Sequence, residues 1–285
     1  MDNSSQRKIL RVSPACEIPQ LAGEITSALV GDGPTLGFGE ITSEFAAHYA
    51  AVVIGTSGSS GSPKEVALTA TALISSARAS NKFINAKPGE TWSLLLPLTH
   101  IAAVNVIIRA IELGTLPIDL RNHEGEYPKA NYTSIVPTQL FRALNGDDQL
   151  LNHLKSAKAV LVGGAALSQS LRNQAELAGI KVITTYGMTE TCGGCVFDGR
   201  PLDGVNDLDA PGRPVGGRHI VHVVVEDLRA GRIEDERFLV LVVPRATPDE
   251  DLVAALAESS HGGILRLLPF EMRPPDRAVV SEKLD

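Results

Sequence analysis

The segment that decides the fold reads Ala51-Val52-Val53-Ile54-Gly55-Thr56-Ser57-Gly58-Ser59-Ser60-Gly61-Ser62-Pro63-Lys64. Its first four residues have the length and apolar character of a short buried strand. The loop that follows combines glycines, whose backbone N–H groups approach an anion closely, with hydroxyl donors and the charge of Lys64. A helix-compatible segment begins at about Thr69, which places the loop at a strand's carboxyl end, where open α/β sheets bind ligands. The segment predicts an α/β protein that holds a polyphosphate.

Two other kinds of loop have a related composition. A flexible Gly/Ser surface loop has a similar composition, but the preceding strand and the terminal Pro-Lys argue against it. A Walker P-loop needs GxxxxGK followed by Ser or Thr, whereas Pro63 precedes Lys64 and Glu65 follows it. The ordinary P-loop NTPase class is therefore excluded.

Four further motifs follow in chain order: Leu96-Pro97-Leu98-Thr99-His100, Ser134-Ile135-Val136-Pro137-Thr138, Val162-Gly163-Gly164-Ala165-Ala166 and Thr185-Tyr186-Gly187-Met188-Thr189-Glu190-Thr191. With the Gly55–Lys64 loop, this ordered set resembles the acyl-adenylate-forming superfamily of acyl-CoA synthetases, luciferases and peptide-synthetase adenylation domains. The extension from Cys192 to Val205 looks most like that of the o-succinylbenzoate-CoA ligases of menaquinone biosynthesis.

The resemblance implies a two-step reaction. A carboxylate attacks the α-phosphorus of ATP, pyrophosphate leaves, and coenzyme A captures the acyl-AMP; both steps develop negative charge that must be stabilised. Glu190 is implied to carry Mg²⁺, since a hard dication bridging phosphates prefers carboxylate oxygen. The residues implied to bind ATP are Thr56, Ser57, Gly58, Ser59, Ser60, Gly61 and Lys64 at the β- and γ-phosphates, Thr189 at the α-phosphate, and Gly163, Gly164, Ala165, Tyr186, Gly187 and Met188 around adenine.

The acid is implied to bind near His100, which stands at the family's acyl-pocket position and joins Lys64, Thr189 and Glu190 as a catalytic residue. An aromatic dicarboxylate also needs polar groups or an Arg for its non-reacting carboxylate, against small residues. Asn105, Arg109 and Gly193, Gly194 and Cys195 are the candidates. Four of the candidate site residues also have a purely structural interpretation. His100 would be a hydrogen-bonded structural residue, Tyr186 a packed core residue, and Glu190 a solvated carboxylate at a helix start. Arg109 would project from a helix into solvent, which is its favoured interpretation.

Strand-like and helical patterns alternate along the chain. The predicted strands are 51–55, 91–96, 133–136, 159–162 and 181–185; the predicted helices are 68–83, 101–113, 138–146 and 168–179, with Ser168 as N-cap and Gly179 as the C-terminal stop. This alternation predicts an α/β domain, residues 1–215, with a mostly parallel sheet flanked by helices. A linker is predicted from Asp198 to Gly217. Residues 216–285 are predicted as a small mobile α+β domain, with strands at 219–226 and 237–243 and a helix at 248–258.

The last third departs from the family. Its ribose-binding aspartate has only weak counterparts in Asp207 and Asp209, and its Gly-Lys-x-Asp-Arg tail is represented by Met272-Arg273-Pro274-Pro275-Asp276-Arg277-Ala278, without the lysine. Either the protein has lost a catalytic group or segments are missing from the sequence. Omission is favoured, because mobile Gly-rich loops are where order is commonly lost.

Composition is compatible with this class. The 285 residues are 44% hydrophobic and 21% charged, and the net charge of −7 argues against a nucleic-acid-binding surface. The N-terminus lacks a secretory pattern and no apolar run approaches the length of a membrane span, so a cytoplasmic location is expected. Cys16, Cys192 and Cys195 cannot form a disulfide framework, and the CxxC pair is interpreted as packing rather than redox chemistry.

These observations predict a ligase that activates an aromatic acid, o-succinylbenzoate being the favoured one, with ATP, Mg²⁺ and coenzyme A. A homodimer is expected, since the superfamily commonly dimerises. The alternatives are another acyl- or aryl-CoA ligase, adenylation without CoA transfer, or a non-catalytic protein that binds nucleotide or acyl-adenylate and lacks the C-terminal lysine.

Overall fold

The computed structural model describes residues 6–57, 63–203, 218–224 and 238–244, the last two ranges by their backbone alone. The chain divides into two compact units, Met1–Leu202 and Asp203–Asp285. The predicted domain boundary between residues 215 and 216 lies outside the described residues and stays a prediction. The predicted helix 248–258 and the Asp207, Asp209 and 272–278 motifs also lie outside them.

The first unit contains a mixed five-stranded sheet in the order β3-β1-β2-β4-β5. The central pairs β1–β2 and β2–β4 are parallel, and the outer pairs β1–β3 and β4–β5 are antiparallel. Its elements in chain order, with the helix that follows β1, are β1 (Gln6–Arg11), α1 (Ile18–Val30), β2 (Thr35–Phe38), β3 (Phe45–Ala47), β4 (Ala50–Ser57) and β5 (Pro63–Thr69).

The rest of the first unit forms a seven-stranded sheet in the order β12-β11-β10-β9-β8-β6-β7. The five strands from β10 to β7 are parallel; β11 pairs antiparallel with β10, and β12 pairs antiparallel with β11. The elements are α2 (Ala70–Phe83), β6 (Trp92–Leu94), α3 (Ile101–Glu112), β7 (Ile118–Asp119), β8 (Tyr132–Ile135), α4 (Pro137–Leu144), α5 (Asp148–Ser156), β9 (Ala159–Val162), α6 (Gln169–Leu177), β10 (Val182–Met188), β11 (Gly193–Phe197) and β12 (Arg200–Pro201).

The helices lie on both faces of the second sheet. Helix α3 packs against β6, β8 and β11, and α2 contacts β11 as well as β4 and β5 of the first sheet, while α6 contacts β10. Leu140, Leu154, Val160 and Val182 belong to one apolar cluster under α4, α5 and α6. The prediction of an α/β fold with parallel strands covered by helices is confirmed for this unit, but the strands form two sheets rather than one.

Local sequence explains the helix limits that were predicted correctly. The Ser168 hydroxyl accepts a hydrogen bond from Leu171 N at 3.2 Å and caps α6. Gly179 has a φ of 87°, the left-handed conformation that stops a helix. Both the predicted N-cap and the predicted stop are confirmed.

The predicted helix 68–83 is confirmed as α2, which begins at Ala70 because Thr69 Oγ1 accepts a hydrogen bond from Ala72 N. Strand β5, directly before it, was not predicted. The prediction of a linker from Asp198 is wrong for residues 200–201, which pair with β11 as β12. In the second unit, the two strands predicted at 219–226 and 237–243 are present as β13 (Arg218–Val224) and β14 (Phe238–Pro244), and they pair antiparallel.

Candidate functional site

The carboxyl ends of β6, β8, β9 and β10 meet at one edge of the second sheet, because these strands are parallel neighbours. The motif ending in His100 follows β6, Val136 follows β8, Gly163 follows β9, and the Thr189-Glu190 pair follows β10. Such an edge is where open α/β sheets bind ligands. Four of the predicted motifs therefore converge on one side of one sheet.

The phosphate loop reaches the same edge through Lys64. Lys64 is on β5, the strand that returns from the loop, and its Nζ lies 2.9 Å from Glu190 Oε1. The side chains are 51% and 27% exposed, so the pair is open to solvent. Thr56 Oγ1 donates to Lys64 O across the β4–β5 pair at 3.1 Å. Residues 58–61 of the predicted site lie outside the described residues, as does the Ser57 side chain.

Glu190 is the only candidate for a Mg²⁺ ligand that the sequence named, and its surroundings fit that role. Among the described residues, no three His, Cys, Asp or Glu side chains form a metal-binding group. Mg²⁺ held by one carboxylate, with phosphate oxygens and waters completing its shell, needs no such group. A partly exposed carboxylate beside Lys64 suits this arrangement.

The turn that carries Thr189 and Glu190 is held by internal hydrogen bonds. Thr191 Oγ1 accepts from Met188 N at 3.0 Å and contacts the carbonyl oxygens of Met188 and Gly193. Cys192 N donates to Thr189 O at 3.0 Å. Thr191 is buried, and sequence reasoning missed it although it belongs to the Tyr186–Thr191 motif. Its hydroxyl fixes the backbone that presents Glu190.

Side chains from two helices hydrogen-bond to the same turn, at the carbonyl oxygen of Cys192. Ser76 Oγ of α2 donates to this oxygen at 3.1 Å, and Asn105 Nδ2 of α3 donates at 2.5 Å. Asn105 Oδ1 has no hydrogen-bond partner within the described part of the chain. Cys192 and Cys195 are buried and are not joined in a disulfide. Burial raises the pKa of the Cys195 thiol, so it stays protonated and packs as a neutral group.

Glycines at the predicted adenine site are required by close backbone approach. A Cβ on Gly163 would lie 2.2 Å from Thr185 Oγ1, and one on Gly187 would lie 1.9 Å from Gly193 O. Gly164, Ala165 and Gly187 are exposed, Met188 and Thr189 are partly buried, and His100 is exposed at the start of α3. Tyr186 is also partly buried, and desolvation raises its pKa to about 12, so its ring stays neutral at physiological pH. This surface of small residues beside one aromatic ring is open to a planar ligand.

Arg109 is buried, with 4% of its surface exposed, so the favoured interpretation that it projects into solvent is wrong. Helix α3 lies between other elements on nearly every side, and nine of its twelve residues are buried. The guanidinium lies 5.2 Å from the centroid of Trp92 and donates from Nη1 to Ser134 Oγ at 3.4 Å. Desolvation lowers the Arg109 pKa to about 10, and the group stays charged at neutral pH.

Arg109 has no carboxylate partner among the side chains that the structure describes, and its Nε makes no hydrogen bond there. A buried cation without a counter-ion is costly. Asn105 stands four residues earlier, on the same face of α3, and contacts the Cys192–Gly193 backbone. Two of the predicted acid-binding side chains therefore share one helix face with unsatisfied polar atoms.

Curated proteins that are similar to this chain include two 2-succinylbenzoate--CoA ligases. A probable 2-succinylbenzoate--CoA ligase of Mycobacterium tuberculosis H37Rv is 42% identical over 167 residues, covering 54% of this chain and 43% of that protein. The 2-succinylbenzoate--CoA ligase of Escherichia coli K12 is 33% identical over 167 residues, covering 58% of this chain and 35% of that protein. The matches thus span less than half the length of these curated relatives.

Solved structures share the fold. The o-succinylbenzoate coenzyme A synthetase of Bacillus subtilis, in complex with ATP and magnesium ion, superposes with a TM-score of 0.52 at 19% identity, covering 72% of this chain and 53% of that one. An AMP-forming acyl-CoA synthetase-like protein of Dyadobacter fermentans gives 0.52 at 21% identity, with 72% and 66% covered. The model of the family described as AMP-binding enzyme matches residues 19–232. Since that match spans well over half of the sequence, the chain belongs to the AMP-binding enzyme family.

Proposed function

We propose that this protein is an ATP-dependent acid-thiol ligase that converts o-succinylbenzoate to its CoA thioester through an acyl-AMP intermediate, releasing AMP and pyrophosphate. The observation that carries the proposal is the pairing of Lys64 with Glu190, an ammonium group and a carboxylate that would bind phosphate and Mg²⁺ side by side. The substrate is taken from the relatives named 2-succinylbenzoate--CoA ligase. A cytoplasmic location and a homodimer belong to the same proposal.

The phosphate end of ATP would lie between the β4–β5 hairpin and the turn after β10. Lys64 and the hydroxyl of Thr56 would contact the β- and γ-phosphates with Ser57, Gly58, Ser59, Ser60 and Gly61, and Thr189 would hydrogen-bond the α-phosphate. Glu190 would hold Mg²⁺, which when bound neutralises charge on the phosphates. Because Lys64 and Glu190 already pair, they keep each other in place until the nucleotide enters.

The base would bind where β9 and β10 end. Gly163, Gly164 and Ala165 leave room for it, and Tyr186 offers a neutral ring for stacking, flanked by Gly187 and Met188. Offset stacking of aromatic groups contributes about 0.5–1.5 kcal/mol beyond the area buried. Tyr186 therefore orients the nucleotide rather than supplying most of its affinity.

The acid would extend from the α-phosphate along α3. His100 stands at the exposed start of this helix, near the reacting carboxylate, and Gly193 and Gly194 make space for the aromatic ring. The second carboxylate would pair with Arg109 beside Asn105. This pairing supplies the missing counter-ion, and a buried charge-assisted hydrogen bond is among the stronger polar interactions.

Pyrophosphate release with candidate acids tests the proposal. The full chain with ATP, Mg²⁺ and o-succinylbenzoate is expected to release pyrophosphate, and mass spectrometry is expected to show the CoA thioester when CoA is added and acyl-AMP when it is withheld. If pyrophosphate is released only with a different aryl acid, that acid replaces o-succinylbenzoate as the proposed substrate. Acyl-AMP without thioester would indicate adenylation alone.

A second candidate is a non-catalytic protein that binds nucleotide or acyl-adenylate. It is favoured by the absence of the lysine from the Met272–Ala278 segment. Equilibrium binding of ATP together with no acid-dependent pyrophosphate release would establish it in place of the ligase.

A further inference from the structure

Glu65 follows Lys64 directly, and its carboxylate anchors a different segment of the first sheet. Its Oε1 accepts from Thr42 N at 2.6 Å, Thr42 Oγ1 at 2.7 Å and Ser43 N at 3.2 Å. Burial alone would raise the pKa of Glu65, but the hydrogen bonds from Ser43 and Thr42 outweigh it and lower the pKa to about 2. The carboxylate is therefore charged at physiological pH, and its Oε1 accepts three hydrogen bonds from the 42–43 segment.

The other side of the same segment is held by Arg11 of β1. Its Nε donates to Ile41 O at 2.9 Å, and its Nη2 donates to Thr42 O and Ser43 O, both at 3.2 Å. The amide groups of Thr42 and Ser43 thus donate to Glu65, and the carbonyl groups of residues 41–43 accept from Arg11. A loop held from both sides by charged side chains has little freedom to shift.

This loop supports the first residue of the phosphate-binding segment. A Cβ on Gly55 would lie 2.2 Å from Glu40 O. A Cβ on Gly39, where φ is +78°, would lie 3.0 Å from Gly55 O and 3.3 Å from Thr99 O. The 39–43 loop is therefore in close contact with the start of the phosphate segment and with the residue before His100.

Strand register connects this support to Lys64. Gly55 pairs with Glu65, and Thr56 pairs with Lys64, across β4 and β5. Glu65 and Gly55, directly opposite each other, both contact the 39–43 loop, while the next pair carries the groups that meet the phosphates. Fixing the first pair fixes the position of the second, since successive residues in a strand are about 3.3 Å apart.

We propose that Glu65 is a positioning residue for ATP: with Arg11 it holds the 39–43 loop against Gly55 of β4 and so keeps Lys64 and Thr56 in position for the β- and γ-phosphates. This rests on the proposed function, which puts those phosphates beside Lys64. Glu65 touches neither ATP nor the acid and acts only through the hairpin.

The test compares equilibrium binding of ATP and AMP, each with Mg²⁺, by calorimetry on the full chain. Since AMP lacks the β- and γ-phosphates, Glu65→Gln is expected to weaken ATP binding by between about 5-fold and 100-fold and to leave AMP binding within about twofold. In turnover, the KM for ATP is expected to rise while the KM for the acid stays constant.

Glu90→Gln is the matched control. Glu90 also has a pKa lowered to about 2 and also accepts several hydrogen bonds, but it precedes β6, at the opposite edge of the second sheet. The Glu90→Gln variant is expected to have a lower free energy of unfolding but to change the affinities for ATP and AMP by the same factor. If Glu65→Gln does not fold, Thr42→Val, which removes one donor to Glu65, is expected to shift ATP affinity in the same direction by a smaller factor.

The outcomes separate this proposal from the one on which it rests. A wild-type chain that binds neither nucleotide overturns the proposed function and this inference with it. The role of Glu65 alone is overturned if the wild-type chain binds ATP but the tested variant, Glu65→Gln or Thr42→Val, either weakens the binding of ATP and AMP equally or weakens the binding of neither.

Discussion

The Lys64 ammonium group lies 2.9 Å from the Glu190 carboxylate, although 126 residues separate them in sequence. The contact joins the edge strand of the first sheet to the turn after β10 of the second. Exposed ion pairs contribute only about 0–1 kcal/mol to stability. The pair therefore adds little to stability, and the proposed binding of phosphate by Lys64 and of Mg²⁺ by Glu190 would account for its position.

Lys64→Ala is expected to lower the rate of ATP-dependent adenylate formation by about 10²–10³-fold, as losing one donor to developing negative charge does in other enzymes. Its free energy of unfolding in urea is expected to change by less than about 1 kcal/mol. Lys158→Ala is the control, because Lys158 is similarly exposed and pairs with Glu90 away from the site. Equal losses of rate in both variants would contradict the assignment of Lys64.

Arg109→Met is expected to leave the free energy of unfolding unchanged or to raise it by about 1–4 kcal/mol, because it replaces a buried unpaired cation by an apolar side chain of similar length. The KM for o-succinylbenzoate is expected to rise at least tenfold, whereas the KM for an acid without the second carboxylate is expected to stay the same. A marked loss of stability, or equal effects on both acids, would show that Arg109 serves packing with Trp92 instead.

The buried position of His153 leads us to expect that the protein loses stability in mild acid. Its Nε2 lies 2.9 Å from Ser93 Oγ and its Nδ1 lies 2.9 Å from Pro128 O, in a buried position. Burial lowers its pKa, with a smaller contribution from His123. The unfolded chain then binds the proton more readily, so the contribution of His153 is complete above the unfolded pKa of about 6.5 and is lost as pH falls through the folded value.

Urea unfolding of the wild type between pH 7.5 and 5 measures this effect, and His153→Gln is expected to flatten the dependence. A wild-type curve with the same slope as the variant would refute it.

Gly187→Ala is expected to destabilise the protein by about 1–3 kcal/mol, because the new Cβ would meet Gly193 O at 1.9 Å and two backbone segments would have to separate. Gly23→Ala is the matched change. Gly23 is in α1 with nothing within 4 Å of its would-be Cβ, so alanine is expected to add about 0.5–1 kcal/mol. Chemical denaturation of both variants tests the contrast, and a stable Gly187→Ala would disprove it.

Local sequence predicted those parts of the fold that depend on neighbouring residues. The strand at 159–162 and the cap and stop of α6 follow from an apolar run, a serine and a glycine. Strand β5 was missed because Pro63–Thr69 adjoins a true helix, although Val66 and Leu68 are buried and alternate with more exposed residues, the period of a strand.

Relationships across the fold could not be predicted in this way. Arg109 is buried because other elements surround α3. The sequence pattern along one helix does not predict which elements pack around it. The contacts of Glu65 with Thr42 and Ser43, and of Asn105 with Cys192, join distant segments. Motif order located the site, but only the folded chain shows which side chains support others.

Strand β5 is the last strand of its sheet in the part of the chain that the structure describes, so one side of its backbone has no neighbouring strand there. Exposed edges of this kind can pair between molecules, and charged residues on them discourage it. Lys64 and Glu65 are adjacent on this edge. Replacing both with threonine would therefore remove the charges from the edge strand, and the protein would be expected to self-associate through it even where its native fold survives.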